Sequence, residues 1–388
     1  MSRSIVLRAA SAALLFALVA RAASDGSTTH GISTSRIHLG QSCALKGPAS
    51  GLGLGMQAGL NACFERVNKS GGVDGRTIEL ESVNDGYEPE QCTKVTRMLI
   101  DKSDVFLLIG EVGTPTSKVA VPICTESQVP FVGPFTGAEL LRAPYNRYVV
   151  NVRASYYQET EELAKLLVDK RGKKRLACFY QNDAFGQAGL DGITKALERR
   201  GMQLVSKGTF ERNTVAIATG LADVAAGTPE AIVMVGPYKP IATFVKTARQ
   251  NEALQRATFA TISFVGTMDL LAELGAESEG VVISQVVPFP WDTSVPVVQQ
   301  YQTDMKAAGM EKQINFTTLE GYLAGRFFCQ AFEAIEGEPS RETFLDAVTR
   351  VGRFDLGGFA LQFGPDDNQG SDSVFMTCFH GGKVEPLP

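Results

Sequence analysis

Histidine is scarce in this 388-residue chain, with three in all, at positions 30, 38 and 380. A Ser/His/Asp arrangement would have to recruit His38, inside an apolar strand-like run, or His380, near the C-terminal end. No G-x-S-x-G elbow accompanies either. Cysteine and histidine nowhere adopt zinc spacing and no EF-hand loop occurs, so no metal is expected. There is no G-x-x-x-x-G-K-[ST], which disfavours a triphosphate cradle, and no other cofactor is called for. Basic runs are missing too: 37 Lys and Arg face 42 Asp and Glu, a formal net charge of −5. That balance argues against nucleic acid, whose phosphates want a basic face.

What is present is a well-packed composition, 44% hydrophobic and 20% charged, long enough for two domains. The opening "MSRSIVLRAASAALLFALVARAASDG" carries Arg3 and Arg8, a short apolar core from Ala9 to Ala20, and the small-x-small triplet Ala20-Arg21-Ala22. This is the layout of a secretory signal, expected to occupy residues 1–22, with no Cys for lipid anchoring. Its core is short for a membrane span, which takes about 20 residues, and no later segment is long and apolar enough. An exported, soluble, monomeric product is expected, and export permits disulfides. Seven cysteines are an odd number. Cys63 falls on the stripe Met56, Leu60, Cys63, Phe64, Val67, and Cys92 on Cys92, Val95, Leu99, so both face a core. A Cys63–Cys92 bridge and buried free thiols both remain open.

From residue 36 the chain alternates strand and helix. "RIHLGQS", "TIELESVND", "DVFLLIG" and "VPFVGPF" read as strands, separated by helices "GLGLGMQAGLNACFERVN", "PEQCTKVTRMLID" and one from Thr114. Near Asn151 the pattern restarts with the helix "QETEELAKLLVDKRG", then strands "RLACFYQN", "QLVSKGTF", "AIVMVGP" and "ATFATISF" around the helix "GLDGITKALERRG". Apolar strands between amphipathic helices predict α/β architecture, two doubly wound lobes with parallel sheets covered on both faces.

Ligands gather at the carboxyl ends of such strands. There stand Gln41-Ser42-Cys43, Asp85-Gly86-Tyr87, Glu111 to Thr116 and Phe135-Thr136-Gly137, and in the second half Gln181 to Gly186, Gly236-Pro237-Tyr238 and Ser263-Phe264. Hydroxyls, amides, glycines and aromatics suit gripping a small polar molecule better than proton transfer. In "GEVGTPTS", Thr114 precedes Pro115 as an N-cap precedes the first helical residue. In "PFTGAELLR", Thr136 and Glu139 have capping-box spacing. A cap stabilises its helix with or without a ligand, but two capped starts after neighbouring strands form a ready anion site. "GLGLGMQAG" contains G-x-G-x-x-A, yet "CALKGPAS" separates it from its strand, and a loop feeding a helix is the better account.

The segments "LKGPASGLGLGMQAGLNACFERVNKSGGVDGRTIELESVNDGYEPEQC", "FLLIGEVGTPTSKVAVPI", "VPFVGPFTGAELLR", "FYQNDAFGQAGLDGI" and "IVMVGPYKPIATFVKTAR" together resemble the leucine/isoleucine/valine-binding type of periplasmic solute receptor for ABC transporters. The likeness runs from about residue 35 to the C-terminus. It implies two Rossmann-like lobes joined by three crossovers, near Asn151, Gln285 to Pro288, and Gly357. One lobe would take residues 35–151 and 287–357, the other 152–286 and 358–388. It implies further that Gly113, Thr114 and Thr116, with Phe135, Thr136 and Gly137, hold a ligand carboxylate, and that Phe185 and Tyr238 form an aromatic wall. The acidic residue that grips an amino acid's ammonium falls at Ser263, and the aromatic of the first loop near Leu52. Recognition of an amino group would then need Glu111, Asp85 or Asp183, and a carboxylate or amide solute without one fits at least as well. The expected function is capture of a small polar, anionic solute in the periplasm and delivery to an inner-membrane ABC permease. The alternative is a sensing partner of a chemoreceptor or sensor kinase, and an exported hydrolase would have to use Ser42 or Cys43.

Overall fold

The computed structural model describes residues 29–387, so the expected signal segment lies outside the described residues. The first sheet holds β1 (Arg36–Cys43), β2 (Thr77–Asn84), β3 (Leu108–Ile109), β4 (Phe131–Val132) and β5 (Val149–Val150), all parallel, in the order β2-β1-β3-β4-β5. The second holds β6 (Leu176–Gln181), β7 (Ser206–Phe210), β8 (Ala231–Val235), β9 (Thr258–Thr261) and β10 (Val282–Gln285). A short hairpin, β11 (Arg353–Asp355) with β12 (Ala360–Gln362), stands apart, and β13 (Phe375–His380) and β14 (Lys383–Leu387) return antiparallel to the second sheet. Its order, β7-β6-β8-β9-β10-β13-β14, repeats the 2-1-3-4-5 winding of the first sheet. Runs such as "AIVMV" in β8 are buried throughout because helices cover both faces.

Those helices are α1 (Ser50–Lys69), α2 (Pro89–Asp101) and α3 (Thr114–Glu126) around the first sheet. Around the second lie α4 (Tyr156–Ala164), α5 (Ala184–Glu198), α6 (Ala218–Ala226), α7 (Tyr238–Ala248) and α8 (Thr267–Leu274). Then follow α9 (Pro296–Ala307), α10 (Phe316–Glu333) and α11 (Arg341–Val351). α10 returns to α1 at very short range: a Cβ on Gly59 would lie 1.9 Å from the Thr318 carbonyl oxygen. Only glycine permits that approach. Among the described residues no helix is long and apolar enough to cross a membrane.

The chain passes between the sheets after β5, after β10 and again beyond β12. The first and third passages pair, with Asn151 N–H donating to Asn368 C=O (2.8 Å) and Gly370 N–H to Asn151 C=O (2.7 Å). The second passage carries Trp291, the single tryptophan, packed against Phe289 and against Phe316 of α10.

Two local expectations are corrected. Thr114 is not an N-cap: Gly113 takes that place at φ +104°, and Thr114 is the first helical residue. Nor does Thr136 form a capping box with Glu139. Only a three-residue turn, Glu139–Leu141, follows, and Thr136 Oγ1 accepts from Ala138 N–H at 3.3 Å. Pro144 comes too soon for a helix to propagate. The cysteines are all free thiols. Cys63 and Cys92 lie on opposite faces of the first sheet, one in the core shared with α1 and α10, the other beneath α2 and α3.

Candidate ligand-binding site between the lobes

The seam between the sheets is built from their strand ends. After β3 the chain turns at Gly113, where a Cβ would come within 2.2 Å of the Tyr87 ring, and α3 starts at once. Pro115 has no N–H, and the N–H groups of Thr114 and Thr116 take part in no hydrogen bond among the described residues. Both residues are buried. After β4, Phe135 is tied to Glu111 C=O through its N–H (2.7 Å), which sets the two loops side by side. The Thr114 and Thr136 hydroxyls then meet at 2.6 Å. The N–H of Gly137, buried as well, also lacks an acceptor among the described residues. Buried, unpaired N–H groups are rare in folded proteins, and three around one hydroxyl pair at a helix start favour an anion.

The other lobe closes this corner. Gly137 C=O accepts from Tyr156 N–H (2.7 Å), and the Tyr156 hydroxyl lies beside Thr136 with no partner of hydrogen-bonding geometry. Burial pushes that phenol up to about 12, so it stays a neutral donor. Phe185, placed by the Asp183 cap of α5, has its ring 5.6 Å from Tyr156 and 4.4 Å from Phe264. Phe264 in turn lies 5.3 Å from Phe135 and 6.0 Å from Tyr87. Two rings of each lobe thus meet in tilted contacts, at interplanar angles of 35° to 50°.

Behind them is a buried ionic cluster. Arg153, fully buried in the first passage, reaches Glu159 of α4 (2.9 Å) and Glu320 of α10 (3.2 Å), so it joins one lobe to the other. Its guanidinium also donates to Ser263 Oγ and lies over the Phe135 ring at 5.2 Å. Glu159 accepts from Ser263 N–H (2.8 Å) and from Ser284 Oγ (2.7 Å). Burial raises the Glu320 carboxyl to about 7, against the pull of Arg153. Nearer the rim, Gly51 N–H donates to the Tyr238 hydroxyl (3.2 Å), and Gln181 Nε2 to the Tyr87 hydroxyl (3.2 Å). Arg212 pairs with Glu88 across the seam at 2.8 Å and with Asp183 of its own lobe at 3.2 Å.

Of the residues singled out from the sequence, Gly113, Thr114, Phe135, Thr136, Gly137, Phe185 and Ser263 come together here, and Tyr238 stands at the rim. Thr116 contributes its N–H, since its hydroxyl turns back to the Val112 carbonyl (2.5 Å). Glu111 is not brought to the seam. Its carboxyl lies inside the first lobe, where one oxygen accepts from Ser42 N–H (3.3 Å) and the other has no partner among the described residues, and burial together with the charge of Asp85 raises it well above the usual carboxylate range. Ser42 is bound to Asp85 (2.9 Å), and burial drives the Cys43 thiol well up, so neither is poised as a nucleophile. Tyr87 and Phe264 stand among the strand-end residues of the sequence without an assigned role, whereas no motif in the sequence marks Arg153 or Tyr156 as part of the site. Arg153 carried the clearest signal, a lone charge in the apolar run "YVVNVRAS" at a lobe boundary.

A family model described as periplasmic binding protein matches residues 36–383. The chain belongs to the periplasmic binding protein family. It is similar to a possible leucine/isoleucine/valine-binding protein from Rhodopirellula baltica SH 1, at 35% identity and a TM-score of 0.87, covering 94% of this chain and 98% of that one. It is 26% identical to Leu/Ile/Val-binding protein homolog 3 of Brucella melitensis over 43% of this chain, spanning 45% of that relative's length. To the leucine-, isoleucine-, valine-, threonine- and alanine-binding protein of Pseudomonas aeruginosa it is 22% identical, over 72% of this chain and 73% of the relative. The periplasmic binding proteins it resembles are thus of the leucine/isoleucine/valine-binding type, with a doubly wound two-lobed fold. Relatives so named are binding proteins. The histidines stand elsewhere: His30, His38 and His380 face Asp104, Glu81 and Glu279 at 2.7, 3.3 and 2.7 Å.

Proposed function

We propose that this periplasmic binding protein is exported behind a cleaved signal peptide, captures a small carboxylate-bearing solute between its lobes, and presents it to an inner-membrane ABC permease. The observation that carries the reading is the set of buried, unpaired N–H groups of Thr114, Thr116 and Gly137 around the Thr114–Thr136 hydroxyl pair. An anion there gains charge-assisted hydrogen bonds and the positive end of α3. Phe185 and Tyr238 approach from the second lobe, and Arg212–Glu88 and Tyr238–Gly51 hold the closed form. Ligand binding shifts the lobes toward closure, and the closed form is the one the permease accepts. Closure excludes water and strengthens each hydrogen bond to the ligand.

Trp291 gives the test. It sits in a passage between the lobes, beside Met268 and Leu271 of α8. Carboxylate solutes screened by tryptophan fluorescence should include one that saturates one site per chain and is recovered unchanged. A ligand taken up equally well by cells lacking this chain would argue against delivery. A ligand converted on the protein would argue against a receptor.

A further inference from the structure

We propose that Cys63 of α1 and Cys329 of α10, thiols in the structure, close to a disulfide in the exported chain. This goes beyond the receptor reading and needs only export, which brings the pair into an oxidising compartment. The two helices run parallel, since Gly55 faces Thr317, Gly59 faces Thr318 and Tyr322, and Gly325 faces Cys63. Glycine on both sides lets the backbones nearly touch: a Cβ on Gly321 would lie 2.4 Å from the Met56 carbonyl oxygen. A disulfide spans Cα atoms about 4.4–6.8 Å apart, closer than the roughly 8–10 Å between ordinary packed helix axes. The glycine seam brings α1 and α10 into that range.

The two sulfurs converge on one hole. A Cβ on Gly325 would come within 3.1 Å of Cys63 Cβ and 3.2 Å of its Sγ, so the glycine leaves the space that Cys63 fills. Cys329 stands one turn further along α10, and helical side chains lean back toward the N-terminus, which aims its thiol at the same hole. The Phe64 and Phe328 rings, each next in sequence to one cysteine, meet edge to face at 6.1 Å. Contact with the Cys63 sulfur, then burial, raise the Cys329 thiol well above its ordinary value, against the pull of the Arg66 guanidinium. Cys92 is the contrast: its thiol donates to Thr116 C=O (3.5 Å) and accepts from Ser42 Oγ (3.6 Å).

A thiol so raised exchanges slowly in the folded chain, so oxidation belongs to folding. One thiolate attacks a protein disulfide oxidant of the exported compartment and forms a mixed disulfide; the other then displaces the oxidant's sulfur. Two electrons and two protons leave the pair, and the oxidant departs as its dithiol. The ring closed between residues 63 and 329 encloses all of β6–β10. It fixes α1, whose start carries the Gly51 rim, to α10, which carries Glu320.

Mass spectrometry of the wild-type exported chain, quenched in acid and then alkylated with N-ethylmaleimide in denaturant, gives the test. Trypsin leaves Cys63 as the one cysteine of residues 47–66 and Cys329 as the one cysteine of residues 327–341. These peptides should appear joined, two hydrogens lighter than their sum, and should separate on reduction. Recovery of both as alkylated thiols would overturn the proposal, as would either one joined to another cysteine. The urea midpoint is a second readout, because unfolding opens the pair to reductant. Dithiothreitol should lower it by about 1 M in wild type and leave the double variant Cys63→Ala, Cys329→Ala unmoved. An equal response of the two proteins would overturn the assignment of the bond to this pair.

Discussion

Replacing Arg153 by methionine keeps much of the buried volume and removes the one positive charge between Glu159 and Glu320. The three side chains are 0%, 0% and 3% exposed, so solvent cannot take over the role of the guanidinium. Breaking a buried pair by deleting one partner costs about 3–5 kcal/mol, because the remaining charge is left uncompensated. Glu159 keeps its bonds from Ser263 and Ser284, whereas Glu320 has no other partner among the described residues. The cost therefore falls mainly on Glu320, which can escape it by taking a proton. Urea unfolding at pH 8 should show a loss of about 3–5 kcal/mol, shrinking at pH 5. The triple variant Arg153→Met, Glu159→Gln, Glu320→Gln should recover most of it, since the charges leave together. A single-variant loss under about 1 kcal/mol at pH 8 would refute the reasoning, as would a triple variant no more stable than the single one.

Two further outcomes follow from the same geometry. The folded carboxyl of Glu320 is raised to about 7, above its unfolded value near 4.3, so its stabilising contribution is complete below about pH 4.3 and is lost as pH rises to about 7. Glu320→Gln should remove that slope, gaining on wild type by up to about 1.4 kcal/mol per pH unit in the window; parallel stability–pH curves would contradict it. Arg212→Ala removes the seam contacts to Glu88 and Asp183. Since these groups are partly exposed, the loss is discounted to about 0.5–1 kcal/mol, or two- to fivefold weaker ligand binding expressed as faster release. Unchanged release kinetics would remove Arg212 from the closed-state contacts.

The winding of both lobes was legible because parallel strands covered on both faces appear as unbroken apolar runs, as in "AIVMV" and "DVFLLIG". The register of caps was less so. Thr-Pro before a helix looks the same whether Thr114 is the cap or the first helical residue, and Gly113 at φ +104° decides it. Glu111 looked like a candidate because a strand-end acid can face either lobe, and only packing shows that it turns toward Ser42 and Asp85. Cys63 and Cys92 share the apolar stripes of neighbouring helices, but strand order places α1 and α2 on opposite faces. Arg153 was hidden for a different reason. Its partners are Glu159 six residues on, Ser263 in the second lobe and Glu320 in the first, and no local pattern connects them.

The central claim is that the Thr114–Thr136 corner holds the ligand's carboxylate, and one measurement tests it most directly. Calorimetric titration of Thr114→Val with the tightest acid from the screen removes one hydroxyl at nearly constant volume. A hydrogen bond to a charged group is worth about 1.5–3 kcal/mol, so affinity should fall between about tenfold and a hundredfold, with the melting temperature of the free protein little changed. An affinity within about twofold of wild type would place the carboxylate elsewhere and contradict the account.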